Sequence, residues 1–290
     1  METIRSQVPQ GKIEGTCDAR FGEVAREFER NFLERGELGA SVSVTLHGKT
    51  VVDLWGGTSK KRDDAAWTRD TVSVVYSCTK GMTALCAHML ASRGKLDIDA
   101  PVAEYWPEFA RKGKERTTVK MMLENEEPFW EPGTRNGYHM INFGWTVGEI
   151  VRRVSGKSLG TFFREEVAQP LGVDFWIGTP EEIEPRVAPM SAYKPTEQDY
   201  GGEFLQAVIG NLQSIASLSL LNVGGFDANS RACHAAEIGG AGGISNARAL
   251  ARIYAALACG GTLDGVKLVE PAQVARMSEV AVATQRDATL

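Results

Sequence analysis

The 290-residue sequence lacks the features of proteins that bind nucleic acids or span membranes. Its 32 lysines and arginines are outnumbered by 37 aspartates and glutamates, and no run of like charges is long enough to form a basic patch. Binding to nucleic acid or to an anionic membrane requires clustered lysine and arginine. The longest apolar stretches, such as Ile215–Leu221, are interrupted by serine and are far too short to cross a bilayer. We therefore expect no nucleic acid and no membrane as a partner.

Cysteine and histidine are scarce as well. The five cysteines stand at irregular spacing without a Cys-x-x-Cys pair, and they form no zinc-type cluster with the four histidines. We therefore expect reduced thiols, no metal and no cofactor. Residues 1–18 are polar and contain no apolar run of the kind found in secretory signals. They are predicted to be a loose leader, and the protein is predicted to be cytoplasmic.

The overall composition is that of a folded globular protein. Hydrophobic residues make up 43% of the chain and charged residues 24%, which is ordinary for such proteins. No internal repeat and no linker-like stretch divides the sequence. We therefore expect a single folded domain over residues 19–290.

Hydrophobic periodicity predicts a helix and then a hairpin near the N-terminus. Asp18 can cap a helix whose apolar residues, from Phe21 to Phe32, recur at helical spacing. The period changes to two over residues 42–46 and 51–55, and a His-Gly-Lys turn separates these two runs. This pattern indicates an antiparallel hairpin with one face toward the core.

A short β-branched and aromatic run at residues 72–76 leads directly into a mostly apolar helix that continues to about Ser92. A helix that is apolar on most sides is expected in the middle of the protein. Further helices are predicted over about residues 141–154, 158–167 and 246–259. These elements predict an α/β (α+β) fold, with an antiparallel sheet flanked by helices.

Three segments match Ser-x-x-Lys, beginning at Ser77, Ser92 and Ser191. About one match is expected by chance in a chain of this length, so the pattern alone decides nothing. Ser92 lies at a helix end with a glycine before its lysine, and Ser191 lies in a proline-rich stretch. Only Ser77 stands at the point where a strand enters a helix.

Ser77 and Lys80 lie one helical turn apart and therefore on the same face of the helix. Partial burial would favour the neutral amine of Lys80, because burial disfavours the charged form. A neutral amine within hydrogen-bond distance of a serine can accept its proton, as an acyl-transfer nucleophile requires. The alternative is purely structural: Ser77 caps the helix and Lys80 is an exposed lysine.

Two other glycine-containing stretches resemble functional motifs. Residues 156–160 fit Gly-x-Ser-x-Gly, but that motif requires a preceding strand and here a helix precedes it. Ser158 is therefore predicted to cap a helix. Val151 stands where a phosphate-binding loop needs its first glycine. The Gly-Gly-Ala-Gly-Gly run at residues 239–243 is predicted to be a tight loop before a helix.

The segment Val-Tyr-Ser-Cys-Thr-Lys-Gly at residues 75–81, with Leu-Asp-Ile-Asp-Ala-Pro-Val at residues 96–102, resembles the serine β-lactamase/penicillin-binding superfamily. The resemblance is strongest to its class C-like branch, which includes family VIII carboxylesterases. Further matches follow in chain order at residues 51–57, 131–134, 138–139, 144–150 and 170–172.

The resemblance covers about residues 19–280 and implies a β-lactamase/transpeptidase-like fold. Such a domain would have an α/β lobe over about residues 19–80 and 235–290, and a mainly helical lobe over about residues 81–234.

The resemblance also implies a mechanism. By position in the motifs, Ser77 would be the nucleophile that forms an acyl-enzyme, and Lys80 its general base. Tyr138 would protonate the leaving group, and the N–H of Ser77 would donate to the oxyanion.

Three features of the sequence depart from the family pattern. Met140 stands where β-lactamases have an asparagine that binds the substrate amide, which favours esters over β-lactams. Residues 123–130 are shorter than the loop and helix that usually wall the cleft. The Lys/His-x-Gly motif of the third strand is not found before Leu290, so the sheet is expected to lack C-terminal strands.

The leading hypothesis is a carboxylesterase that cleaves short acyl esters through an acyl-Ser77 intermediate. A truncated, non-catalytic relative that binds a ligand or partner is the alternative, and a β-lactamase or D-Ala-D-Ala peptidase is the third. The expected partner is a small-molecule ester or amide. An unpaired sheet edge would favour a homodimer.

Overall fold

The structure is a computed structural model. It describes residues 1–59, 65–110, 116–119, 136–192, 202–221, 223–285, 287 and 289. The strands are β1 (Glu2–Val8), β2 (Gly11–Cys17), β3 (Gly39–Leu46), β4 (Lys49–Gly57), β5 (Ser73–Val74), β6 (Phe175–Trp176), β7 (Ile244–Ser245), β8 (Thr262–Leu263) and β9 (Val266–Lys267).

The α-helices are α1 (Gly22–Glu34), α2 (Cys78–Ser92), α3 (Asn142–Ser155), α4 (Leu159–Phe163), α5 (Gln169–Leu171), α6 (Glu203–Gly210), α7 (Ile215–Leu221), α8 (Arg231–Ala235), α9 (Ala247–Ala258) and α10 (Pro271–Met277). A π-helical turn, Arg164–Ala168, joins α4 to α5. Short 3₁₀ turns occur at Ala19–Phe21, Val102–Glu104, Pro107–Ala110 and Glu181–Arg186.

The largest sheet has four antiparallel strands in the order β1-β2-β4-β3. Its aliphatic face packs against α1, where Phe28 and Phe32 are buried against Val52 and Leu54 of β4. Asp18 does not cap α1 itself: its carboxylate accepts the N–H of Arg20 at 3.0 Å and caps the 3₁₀ turn Ala19–Phe21, which leads into α1. The predicted helix, hairpin and antiparallel sheet are thereby confirmed.

Residues 1–18 are not a loose leader, and that prediction was wrong. They form β1 and β2, which pair residue by residue from Glu2–Cys17 to Val8–Gly11. Ile13 and Cys17 are each only 2% exposed and belong to the core beneath α1. The segment was misjudged because its inward-facing apolar residues are few, while its outward-facing residues are polar.

The second part of the fold is built around α2. Eight of its side chains are buried, among them Met82, Leu85 and Met89, and α3 and α4 pack against it. A small sheet in the order β5-β7-β6 lies at its N-terminal end. The strand–helix junction at Ser77 is therefore anchored on one side by this sheet and on the other by the apolar core.

The remaining predicted helices are also present. Ser158 caps α4 by accepting the N–H of Thr161, and Asn246 caps α9 by accepting the N–H of Ala249. Gly156 ends α3 in the left-handed conformation, at φ 74°. The short segment at residues 123–130 and the motif at residues 131–134 lie outside the described residues.

Among the described residues, no single helix has the length and apolarity needed to cross a membrane. Taken together, α6 and α7 reach that length and apolarity, but they are bent by 91° where they meet.

Candidate active site

Ser77 stands at a strained turn between β5 and α2. The residue before it, Tyr76, adopts a positive φ of 43°, which is unusual for a bulky side chain and is found mainly where function requires it. The N–H of Val75 donates to Gly243 O at 2.9 Å, and the Thr79 hydroxyl donates to Tyr76 O at 2.5 Å. These two bonds hold the turn in place.

The Ser77 hydroxyl does not cap the helix. Ser77 occupies the N-cap position of α2, yet its side chain makes no capping hydrogen bond, and the residue is exposed. The structural alternative, in which Ser77 is a helix cap, therefore does not describe this site. The hydroxyl is turned toward two other side chains instead.

Lys80 is the first of these side chains. Its Nζ lies 3.3 Å from Ser77 Oγ and donates to the main-chain oxygens of Met140 and Gly240 at 2.7 Å each. Burial lowers the pKa of Lys80 from 10.5 to about 8, because the ammonium loses hydration. A neutral amine has two N–H bonds and one lone pair, and the two carbonyls accept both N–H bonds. The lone pair is then left to face Ser77 Oγ.

Tyr138 is the second side chain. Its hydroxyl donates to Ser77 Oγ at 2.5 Å, and its ring lies with its centroid 4.8 Å from Lys80 Nζ. The structure thus brings Ser77, Lys80 and Tyr138 together, although Tyr138 is 61 positions from the serine. The phenol hydroxyl of Tyr138 and the amine of Lys80 both lie within hydrogen-bond distance of Ser77 Oγ.

Residues 239–243 form the loop that was predicted before a helix, and this loop also contacts Lys80 through the carbonyl of Gly240. Besides the Gly240 carbonyl, Gly239 O accepts the hydroxyl of Thr83 at 2.8 Å, and Gly243 N–H donates to Thr79 Oγ1 at 2.9 Å. A Cβ on Gly144 of α3 would lie 2.0 Å from Gly240 N, so only glycine allows the helix this close. The glycines permit the approach that gives Lys80 its carbonyl partners.

The N–H of Ser77 is available as an oxyanion donor. In the part of the chain that the structure describes, it makes no backbone hydrogen bond. It sits at the N-terminus of α2, where the helix dipole favours negative charge. A substrate carbonyl oxygen placed near this N–H would therefore be polarised.

The rival candidates have structural roles. Ser158 donates its hydroxyl to Glu237 at 2.7 Å while it caps α4, and Ser92 Oγ accepts the N–H of Glu270 at 2.8 Å. The lysine of the Ser191 segment lies outside the described residues. His234 is buried, and its ring is 2.8 Å from Glu184.

Within the described ranges, no group of three or more His, Cys, Asp or Glu side chains could hold a metal ion.

Sequence reasoning missed the groups that hold the site in place. The carbonyls of Met140 and Gly240 are main-chain atoms and have no signature in the sequence. Asp287 accepts the N–H of Tyr138 at 3.1 Å from 149 positions away, and nothing local in the sequence points to it.

The fold and these residues have known relatives. The beta-lactamase family profile matches residues 25–289. The curated protein LipL of Mycobacterium tuberculosis, described as an esterase/beta-lactamase, is 33% identical over 303 residues, covering 89% of this chain and 67% of LipL.

Two solved structures share the fold over 96% of this chain. One is a family VIII carboxylesterase, with 36% identity and a TM-score of 0.80, and the other is a penicillin-binding protein homologue from Caulobacter crescentus, with 34% identity and a TM-score of 0.83. The chain spans 79% and 80% of these two proteins. The resemblance read from the motifs is thereby confirmed, as is the β-lactamase/transpeptidase-like fold. The chain belongs to the beta-lactamase family of serine hydrolases.

Proposed function

We propose that the protein is a carboxylesterase that cleaves short acyl esters through an acyl-enzyme on Ser77. The observation that carries this proposal is the convergence of the Lys80 amine and the Tyr138 hydroxyl on one serine oxygen, at 3.3 and 2.5 Å. A serine next to a base whose pKa is near the working pH is the arrangement that nucleophilic acyl transfer requires.

In the first step, Ser77 Oγ attacks the ester carbonyl carbon while its proton passes to the neutral amine of Lys80. The new C–O bond forms as the carbonyl π electrons move onto oxygen, and the Ser77 N–H stabilises that oxyanion. Lys80 can take the proton because burial has already brought its pKa down to about 8.

In the second step, the C–O bond to the alcohol breaks. The Tyr138 hydroxyl donates its proton to the departing oxygen, and the Lys80 ammonium returns a proton to the tyrosinate. The alcohol leaves and the acyl group stays on Ser77. Water then attacks the acyl ester with Lys80 again accepting a proton, and the Ser77 oxygen regains its hydrogen as the acid departs.

An ester is favoured over a β-lactam by the side chain at position 140. Met140 offers no amide group to bind a substrate amide, and its role in the structure is to accept a hydrogen bond from Lys80 through its main-chain oxygen. The relatives support this choice in part, since LipL is described as an esterase/beta-lactamase and one structural neighbour as a family VIII carboxylesterase.

The test is covalent labelling with a fluorophosphonate, followed by peptide mass mapping. We expect the label on Ser77 and its loss in the variant Ser77→Ala. Ser92→Ala is the matched control, because it removes the serine of another Ser-x-x-Lys segment, and it should label like the wild type. A wild-type protein that stays unlabelled and hydrolyses esters no faster than Ser77→Ala or the uncatalysed background would refute the proposal and favour a non-catalytic binding protein.

A further inference from the structure

Tyr138 lies on a stretch of chain that its own secondary structure does not fix. Residues 136–139 are neither helix nor strand, and α3 begins only at Asn142. The position of the phenol therefore depends on contacts made from elsewhere in the chain.

Those contacts come from the last residues of the sequence. Asp287 Oδ1 accepts the N–H of Tyr138 at 3.1 Å. Thr289 Oγ1 lies 2.9 Å from Tyr138 O and 2.7 Å from Asp287 Oδ1, so its one hydrogen is shared between these two acceptors. Both main-chain polar groups of the tyrosine are thus held by one short segment. Thr289 is buried, at 7% exposure, so its bond is shielded from competing water.

The Asp287 carboxylate accepts further hydrogen bonds beside the one from Tyr138. Its Oδ2 accepts the side-chain amide of Asn136 at 2.9 Å, and its Oδ1 also accepts the N–H of Thr289 at 2.8 Å. Hydrogen bonds to a carboxylate are stronger than neutral ones. The Asp287 side chain therefore connects Asn136, two positions before Tyr138, to Thr289, which contacts the Tyr138 carbonyl.

We propose that Asp287 is a positioning residue for Tyr138, which it holds so that the phenol can protonate the leaving alcohol. This inference rests on the proposed esterase function. It does not make Asp287 a catalytic residue, because its hydrogen bond to Tyr138 is to the main-chain N–H and not to the hydroxyl that meets Ser77. Its effect on rate comes through geometry, since a displacement of about 1 Å at a reacting group can lower the rate by about 10²-fold.

The experiment is a double-mutant cycle on ester hydrolysis, with Asp287→Ala made in the wild type and in Tyr138→Phe. In the wild type we expect kcat for an alkyl ester to fall by at least about tenfold with KM little changed. When Tyr138 is already replaced by phenylalanine, adding Asp287→Ala should change kcat by less than about twofold, because no phenol is left to position. Glu279→Ala, at an exposed carboxylate just after α10, is the control and should leave kcat unchanged.

Equal losses in both backgrounds, or no loss in the wild type, would overturn the positioning role. If Asp287→Ala does not fold, Thr289→Val removes the hydroxyl that lies between Tyr138 O and Asp287 Oδ1 and should give the same dependence on Tyr138. Asp287→Asn retains one oxygen but turns an amide toward Asn136, so a partial loss is expected. Absence of fluorophosphonate labelling in the wild type would instead refute the esterase function itself, so the two failures are distinguishable.

Discussion

The Tyr138 hydroxyl lies 2.5 Å from the Oγ of Ser77 and donates a hydrogen bond to it. The same oxygen faces the Lys80 amine, so one proton donor and one proton acceptor meet at the nucleophile. A serine hydroxyl in this position can lose its proton to one neighbour while the other supplies a proton to the leaving group. The two roles can be separated by experiment.

Replacing Tyr138 by phenylalanine should slow ester hydrolysis in a manner that depends on the leaving group. Alkyl esters need a proton on the departing oxygen, and loss of the acid should lower their kcat by about 10²–10⁴-fold. Activated aryl esters leave without that proton and should lose much less. The comparison of kcat for an alkyl and an aryl acetate measures this. Equal losses for both esters would mean that Tyr138 does not protonate the leaving group.

Ester hydrolysis should rise with pH through the pKa of Lys80. Burial lowers that pKa to about 8, and the active form is the neutral amine, so kcat/KM should increase about tenfold per pH unit well below 8 and level off above it. The measurement is a pH profile of kcat/KM with a neutral ester. A profile that is flat from about pH 6 to about pH 9 would argue against Lys80 as the base.

A methyl group on Gly144 should damage the site, whereas one on Gly148 should not. The Cβ of Gly144→Ala would meet Gly240 N at 2.0 Å, while that of Gly148→Ala would meet a Leu159 methyl at 3.4 Å. Overpacking costs about 1–3 kcal/mol, and here it would displace the carbonyl that holds Lys80. Chemical denaturation and the labelling rate should both reveal the difference. Similar behaviour of the two variants would contradict the close approach.

The N-terminal hairpin should contribute to stability. Ile13→Ala removes a side chain that is 2% exposed and should lower the free energy of unfolding by about 2–5 kcal/mol. Ile4→Ala, at a half-buried position of β1, is the matched control and should lower it less. Urea unfolding measures both values. If the two variants were as stable as the wild type, residues 1–18 would not belong to the folded core.

The elements that carry Ser77 and Lys80 could be predicted because their signals are local. A β-branched run, an apolar helix and the spacing of one helical turn all lie within residues 72–92. The cap at Ser158 could be predicted for the same reason, since a capping side chain bonds to residues only a few positions away.

The parts that escaped prediction depend on distant contacts. β1 and β2 are strands because they pair with each other and with β4, and their own sequence shows little alternation. The partners of Lys80 and Tyr138 are main-chain carbonyls and a carboxylate that lie 60 to 160 positions away. Such pairings follow from the tertiary fold, and they produce no periodic pattern in the sequence.

The central claim is that the Lys80 amine makes the Ser77 hydroxyl reactive. Its most direct test is the second-order rate constant for fluorophosphonate labelling of Ser77, measured in the wild type and in Lys80→Met above about pH 8. The account predicts a fall of at least about 10²-fold in the variant, with the label still confined to Ser77 in the wild type. An unchanged rate constant in a folded Lys80→Met protein would contradict it.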